Sequence, residues 1–350
     1  MTYSVYQHWD PLKVMAVGIS YPPELYDYIK NEKVRKVFYQ IAEETEEDYQ
    51  KLVSLLESFG VQTVRPDITN TIALAQHNIK NNKTIQRPWA MQPRDHSIML
   101  GETFYCSGDK VSNKPIHDLI KAQGNTVKDA FNTGFKYQNN DLKLNAAMIN
   151  RIGKDLIVGT IDDKETNLAN LNELEQDLQH KLPDYRVKMM DTQGHTDGCF
   201  CPVVPGLILS IMGQNSYEKT LPGWEVVWLG GEAWGKVQPF LKLKQKNNGK
   251  WWVPGEELNQ DFTDFVETWM NHWVGYVEES VFDVNMIVID KQNVIVNGYN
   301  EKAFDAFSRH GITPHICNFR HRYFWDGGLH CITSDLHREG VMEDYFPERN

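Results

Sequence analysis

Trp325-Asp326-Gly327-Gly328-Leu329-His330-Cys331-Ile332-Thr333-Ser334-Asp335 is the stretch from which the rest of this chain is read. Two glycines ahead of a His-Cys pair let the backbone turn tightly and leave the thiol accessible. A cysteine presented in this way is a nucleophile when something nearby stabilises its thiolate. The plainer alternative is a small buried hydrophobe, a common fate of cysteines in reduced proteins.

Two segments far upstream bear on that choice. The first is Gln193-Gly194-His195-Thr196-Asp197-Gly198, which runs into the apolar Val203-Val204-Pro205-Gly206-Leu207-Ile208-Leu209-Ser210. On an extended strand His195 and Asp197 point the same way, into one site. A histidine beside a carboxylate is a general acid/base pattern, and the same Asp is suited to gripping a cation. The second segment is Met91-Gln92-Pro93-Arg94-Asp95-His96-Ser97-Ile98-Met99-Leu100-Gly101, a Pro-Arg-Asp triplet opening a strand-like run that ends in glycine. Each has a bland reading: a polar turn before a buried strand, and an Arg-Asp ion pair at a strand end.

Taken in order with Trp9-Asp10-Pro11-Leu12, Val14-Met15-Ala16-Val17-Gly18 and Asn285-Met286-Ile287-Val288-Ile289-Asp290, these segments resemble the glycine amidinotransferase family of guanidino-group-modifying enzymes. The resemblance runs along nearly the whole chain. It implies an α/β fold, the pentein α/β-propeller, with five pseudo-symmetric αβ modules around a central active-site pocket. The chain is then a single domain over residues 1–350, with a tryptophan-rich insertion at about 215–275. The positions 95, 145 and 195 are spaced 50 apart, as they should be if each module delivers one strand end to the pocket.

The chemistry implied is attack on a guanidinium carbon. That ion is planar, cationic and resonance-stabilised, so its carbon is a poor electrophile. Carboxylates in its plane hold it by charge-assisted hydrogen bonds while a thiolate approaches from above. By resemblance Cys331 is the nucleophile and His195 the general acid/base. Asp95 and Asp197 hold the guanidinium, and Arg94 and Gln214 stand with them as substrate-binding positions. A protonated histidine near Cys331 is expected to favour the thiolate. No metal or cofactor is implied. The substrates are small molecules, namely arginine or another guanidine as donor and an amine as acceptor.

Two positions depart from the family pattern. In Leu144-Asn145-Ala146-Ala147-Met148 the catalytic Asp that partners the histidine is replaced by Asn145. An amide still orients an imidazole, but it stabilises no imidazolium charge. After Ser210, where family members carry a carboxylate-binding Arg, the run is Ile211-Met212-Gly213-Gln214. Two rival readings therefore stay open beside amidino transfer. One is hydrolysis of a guanidine by the same Cys and His, as in arginine deiminases and dihydrolases. The other is a homologue that binds guanidino compounds without turnover.

Composition is that of a soluble globular protein, with 41% hydrophobic and 24% charged residues among 350. A formal net charge of −11 argues against nucleic acid or an anionic membrane as partner. The N-terminus lacks a basic region followed by an apolar core, and no 18-residue apolar run exists, so a cytoplasmic protein without a membrane span is expected. The five cysteines, Cys106, Cys199, Cys201, Cys317 and Cys331, read as reduced thiols. Cys199-Phe200-Cys201 is core packing rather than a metal site, and His315, His321, His330 and His337 are too irregularly spaced for structural zinc.

Between about Asn215 and Trp273 lie seven of the ten tryptophans: Trp224, Trp228, Trp234, Trp251, Trp252, Trp269 and Trp273. Leu241 to Lys250 reads as a hairpin arm. The region is either a pocket lid or an elaboration packed on the outside or at an oligomer interface, which leaves a homodimer open. Elsewhere the periodicity gives an amphipathic helix from about Val34 to Phe59, stopped by Gly60, with acids Glu43, Glu44, Glu46, Glu47 and Asp48 facing out. Val61–Pro66 reads as a strand. Helices are expected near Glu165 to His180 and Asn300 to His310, with strands at Tyr185–Met190 and Thr313–Ile316.

Overall fold

The computed structural model describes residues 2–83, 85, 89–107, 110–129, 132–137, 140–143, 146–160, 168–192, 195–211, 217–230, 251–270, 274, 283–325 and 327–349. The strands, in chain order, are β1 (Leu12–Val17), β2 (Gln62–Val64), β3 (Ser97–Leu100), β4 (Thr103–Cys106) and β5 (Thr126–Asp129). They continue with β6 (Asn132–Tyr137), β7 (Asn140–Lys143), β8 (Ile149–Ile152), β9 (Asp155–Thr160), β10 (Arg186–Asp191), β11 (Phe200–Val204) and β12 (Leu207–Ser210). The last five are β13 (Glu225–Trp228), β14 (Ile287–Asp290), β15 (Asn293–Val296), β16 (Thr313–Ile316) and β17 (Thr333–Arg338).

Among the described residues these strands form five three-stranded sheets and one two-stranded hairpin, β6-β7. The five share one plan. An antiparallel pair comes first, and its second strand then pairs in parallel with a third: β3-β4-β5, β8-β9-β10, β11-β12-β13 and β14-β15-β16. The remaining sheet, β17-β1-β2, follows the same plan but takes its first strand from the far end of the chain, with Met15 opposite Asp335. A helix lies between the second and third strand of each module, because a parallel pairing needs a crossover longer than a hairpin turn. These helices are α1 (Glu32–Ser58), Lys114–Ala122, Leu168–Lys181, Tyr217–Thr220 and Glu301–Arg309. The five-module arrangement expected from the resemblance is present.

The longest helix shows why the local sequence folds as it does. Asn31 caps α1, its side chain accepting from the backbone N–H groups of Lys33 and Val34. Val34, Phe38, Ile41, Leu52 and Leu56 recur at helical spacing and are buried. Each such burial contributes about 1.5–3 kcal/mol. Gly60, at φ +76°, adopts the left-handed conformation that ends the helix. The acidic face is only partly solvated as expected. Asp48 is buried and accepts from the Arg320 guanidinium, Glu46 pairs with Arg65, and Glu44 meets His321. The helix is pinned to two other segments by its acids as well as by its apolar stripe.

The other expected elements fall within two or three residues of their places, and Thr313–Ile316 matches to the residue. Cys199 and Cys201 lie in a buried apolar cluster with Phe200 and Leu209, as core packing requires, and all five cysteines are free. Of the tryptophans, Trp251 is buried against Phe262 and Phe324, Trp252 stacks on Tyr323, and Trp224 packs against Trp9 and Phe346. Trp234, Trp273 and the expected hairpin arm at Leu241–Lys250 lie outside the described residues.

Candidate active site

The repeated plan of the modules positions the site. In four of them a chemically distinctive residue lies two or three positions ahead of the first strand. Asp95 is two before β3, Asp197 three before β11, Asn285 two before β14, and Cys331 two before β17. Asn145 precedes β8 in the fifth, but it and Gln214 are outside the described residues. The segments carrying Asp95 and Asp197 are four-residue helical turns, Pro93–His96 and Thr196–Cys199. His195 is the N-cap of the second and has extended backbone. The expectation that His195 and Asp197 share the face of a strand is therefore corrected: a turn aims them at different partners.

Asp197 faces Cys331. Its Oδ2 accepts from His330 Nδ1 at 2.9 Å and lies 3.4 Å from the Cys331 sulfur. His195 faces Asp95, with Nδ1 3.9 Å from Oδ1, within ion-pairing reach but too far for a hydrogen bond. One oxygen of each acid, Asp95 Oδ1 and Asp197 Oδ1, is shielded from solvent and makes no hydrogen bond among the described residues. Unpaired buried carboxylate oxygens are costly, and a cation between them removes that cost.

Asn285 completes the surroundings of the sulfur. Its Nδ2 donates to Cys331 Sγ at 3.0 Å and to the Asp197 carbonyl at 3.3 Å. Its Oδ1 accepts from the backbone N–H groups of His330, at 2.8 Å, and Cys331, at 3.2 Å. Both glycines of the opening motif have a role other than exposing the thiol. A Cβ on Gly328 would stand 2.7 Å from Asn285 Oδ1, and one on Gly327 would stand 2.5 Å from Gln92 Nε2. They let the chain approach its neighbours closely, and the thiol is in fact buried.

The electrostatics follow from this packing. Burial pushes the Cys331 thiol well above its ordinary range, and the charges of Asp197 and Asp95 push it further, against the opposing hydrogen bond from Asn285. The resting sulfur is therefore a neutral thiol. Burial lowers His330, with Arg94 adding to the effect against the pull of Asp197. Burial favours the neutral acid for Asp197, but the His330 hydrogen bond and the charges of His330, His195 and Arg94 outweigh it and hold the carboxyl below its usual value. With Asp197 ionised, His330 Nδ1 is the donor of their hydrogen bond.

Arg94 is tied to a second buried carboxylate. Its Nη1 pairs with Asp335 Oδ1 at 2.7 Å and its Nε donates to the Thr333 carbonyl. Arg151 binds both oxygens of the same carboxylate, and Arg338 donates to it as well. Arg94, from the turn before β3, and Arg151, on β8, tie β17 to two other modules through Asp335, while Arg338 lies on β17 itself.

No family model matches the chain. It is 22% identical to mitochondrial glycine amidinotransferase of Xenopus tropicalis over 97% of this chain and 84% of that protein. It is 21% identical to L-arginine:L-lysine amidinotransferase of Pseudomonas savastanoi pv. phaseolicola, over 57% of this chain and 46% of that one. Two solved structures share the fold over 98% of this chain and 99% of their own. SxtG, an amidinotransferase of the saxitoxin pathway from Microseira wollei, has a TM-score of 0.63 at 20% identity. Inosamine-phosphate amidinotransferase StrB1 from Streptomyces griseus has 0.64 at 17%. This chain is an amidinotransferase homologue.

In this amidinotransferase homologue the pentein fold is the one expected. The word mitochondrial in the name of the Xenopus tropicalis relative does not match the cytoplasmic location expected. Among the described residues no helix is long and apolar enough to cross a membrane. Two residues beside the sulfur, Asn285 and His330, were not among the expected site residues. His330 stood in the motif next to the cysteine, and Asn285 stood at the head of a segment that entered only through the family resemblance. The signal for Asn285 was its place: like Asp95 and Cys331, it sits two residues ahead of a module's first strand.

Proposed function

We infer that this protein transfers an amidino group from a guanidine donor to an amine acceptor through a covalent amidino-cysteine. The observation that carries this reading is the buried Cys331 sulfur set beside Asp197, with unpaired oxygens of Asp197 and Asp95 available to a cation. The guanidinium sits between the two acids and neutralises the charges that keep the thiol protonated. Donor binding thereby brings the thiol down toward ionisation. Its proton passes to His195. The sulfur then attacks the guanidinium carbon, forming a C–S bond. The C–N bond to the departing amine breaks as that nitrogen takes the proton back from His195.

The second half runs in reverse. An acceptor amine gives a proton to His195 and attacks the amidino carbon, the C–S bond breaks, and the sulfur is reprotonated. Asp95 and Asp197 hold the planar group in both halves, while Arg94, paired with Asp335, supports the turn that carries Asp95. Transfer is favoured over hydrolysis because the relatives and the two fold-sharing structures described above are all named amidinotransferases.

The test is intact-mass measurement after incubation with arginine and with a panel of other guanidines, with and without glycine, lysine or other amines. The reading expects an amidine adduct that Cys331→Ala abolishes, with release of the donor's amine and formation of a new guanidine. Citrulline or ammonia in place of a new guanidine identifies a hydrolase. No adduct across the panel refutes covalent chemistry altogether.

A further inference from the structure

We propose that Asn285 is a catalytic residue of this site, the hydrogen-bond donor that holds and stabilises the Cys331 thiolate. The proposal rests on the reading of Cys331 as nucleophile. Its evidence is the geometry around the amide.

The orientation of an asparagine amide is fixed by its partners. Here two backbone N–H groups, those of His330 and Cys331, converge on one end of the side chain at 2.8 and 3.2 Å. That end has to be the carbonyl oxygen, since an NH2 group there would face two donors. The other end is therefore the NH2 group, and it lies 3.0 Å from Cys331 Sγ. The second contact of that NH2, to the Asp197 carbonyl at 3.3 Å, is with an acceptor, as this orientation requires. The amide has no freedom to present anything but a donor to the sulfur.

The residue is built in rather than incidental. Asn285 is buried, and its own carbonyl accepts from Asn297 Nδ2 at 3.2 Å. Gly328 leaves room for it: a Cβ there would lie within 2.9 Å of three Asn285 side-chain atoms. The other groups that bear on the thiol, Asp197 and Asp95, are acidic and resist ionisation. Asn285 is the neutral donor that works the other way without competing for the cationic substrate. An N–H···S bond strengthens when the sulfur becomes negative, so it lowers the barrier to thiolate attack and steadies the leaving thiolate in the second half-reaction. A lysine at this place would repel the guanidinium; an amide does not.

The experiment follows alkylation of Cys331 by iodoacetamide, a small neutral reagent that needs only thiolate, across pH 7 to 10. Modification is located by peptide mass spectrometry, with Cys331→Ser as blank. Asn285→Asp is nearly isosteric and keeps an acceptor for both backbone N–H groups, but turns the donor facing the sulfur into a carboxylate. The expected result is alkylation about threefold to tenfold slower at each pH, with the profile displaced to higher pH. Asn285→Ala is slowed as well. The new carboxylate disfavours thiolate whatever the native amide does, so the neutral variant decides: a folded Asn285→Ala that alkylates at the wild-type rate across the pH range overturns the proposal.

Cooperative thermal melts check that both variants fold. If neither does, the wild type answers instead. With 15N-asparagine labelling, the Asn285 side-chain amide resonance should shift as Cys331 ionises and stay still in Cys331→Ser; a resonance that does not shift in the wild type overturns the proposal. None of these readouts uses a guanidine. Failure of amidino transfer with an intact alkylation difference therefore overturns the function and leaves the role of Asn285 standing.

Discussion

The imidazole of His330 and the carboxylate of Asp197, 133 positions apart in sequence, meet at 2.9 Å beside the sulfur of Cys331. The bond occupies one carboxylate oxygen and leaves the other unpaired among the described residues, so one side chain anchors the turn of Cys331 and, on the proposed reading, keeps an oxygen for a guanidinium. The same negative charge opposes ionisation of the thiol until a cation arrives.

Asp197→Asn separates those two effects. The amide removes the charge that keeps the thiol protonated, so alkylation of Cys331 by iodoacetamide should become about threefold to tenfold faster at pH 8. It also removes half of the cation's seat, so adduct formation from guanidines should fall by about a hundredfold or more. Opposite changes in the two assays are the signature. A parallel loss of both would mean that Asp197 is purely structural.

Behind the site, Asp335 is fully buried among Arg94, Arg151 and Arg338. Burial alone would favour its neutral form, but the three guanidinium groups hold the carboxyl well below its usual range. Asp335→Asn leaves those cations without their counter-charge and should cost about 3–5 kcal/mol of unfolding free energy. Urea denaturation measures it. A loss under 1 kcal/mol would show that water or rearrangement satisfies the arginines and that the cluster does not hold β17.

Acid should destabilise the protein in two separate windows. Burial, reinforced by the charges of Arg151 and His330, keeps His8 neutral far below the ordinary histidine value of 6.5. The unfolded chain then binds a proton that the folded chain refuses, so stability is full above 6.5 and declines as pH falls below it. Asp335 adds a second loss only below the ordinary aspartate value of 3.8, because its folded value is depressed. His8→Phe keeps a ring in place and removes the proton. Between pH 6.5 and 5 its stability should fall less steeply than that of the wild type, by up to about 1.4 kcal/mol per pH unit. Equal slopes would place the acid sensitivity at other histidines.

How much of this was legible in the sequence depended on range. Periodicity and capping located α1 and the strand Thr313–Ile316, because those signals are local and repeat over several residues. The turn at Thr196–Cys199 escaped because four residues carry too little periodicity to tell a helical turn from a strand. Burial of Cys331 was unreadable for a different reason. It arises from Asn285 and Asp197, 46 and 134 positions away, and no local pattern reports such contacts. Likewise the ion pair of Arg94 with Asp335, far along the chain, is visible only in the fold. The module rhythm carried more than was drawn from it. The spacing of 50 that joins 95, 145 and 195 is interrupted after β11 by the tryptophan-rich stretch, which hid Asn285 from the same argument.

Position 145 allows the sharpest functional prediction. By the resemblance, it is where the family places the carboxylate that partners the catalytic histidine, and here an amide stands there. An amide can orient His195 but offers no charge to the imidazolium that forms when the histidine takes a proton. If the amide is a weakened copy of the acid, Asn145→Asp should raise the single-turnover rate of adduct formation from arginine by about tenfold or more. Alkylation of Cys331 by iodoacetamide should change little or slow slightly, since the added charge disfavours thiolate. A slower reaction with arginine, alongside unchanged or faster reaction with another guanidine in the panel, would show the opposite. The neutral side chain would then be fitted to a donor that brings its own negative group to that place, and arginine would not be the substrate.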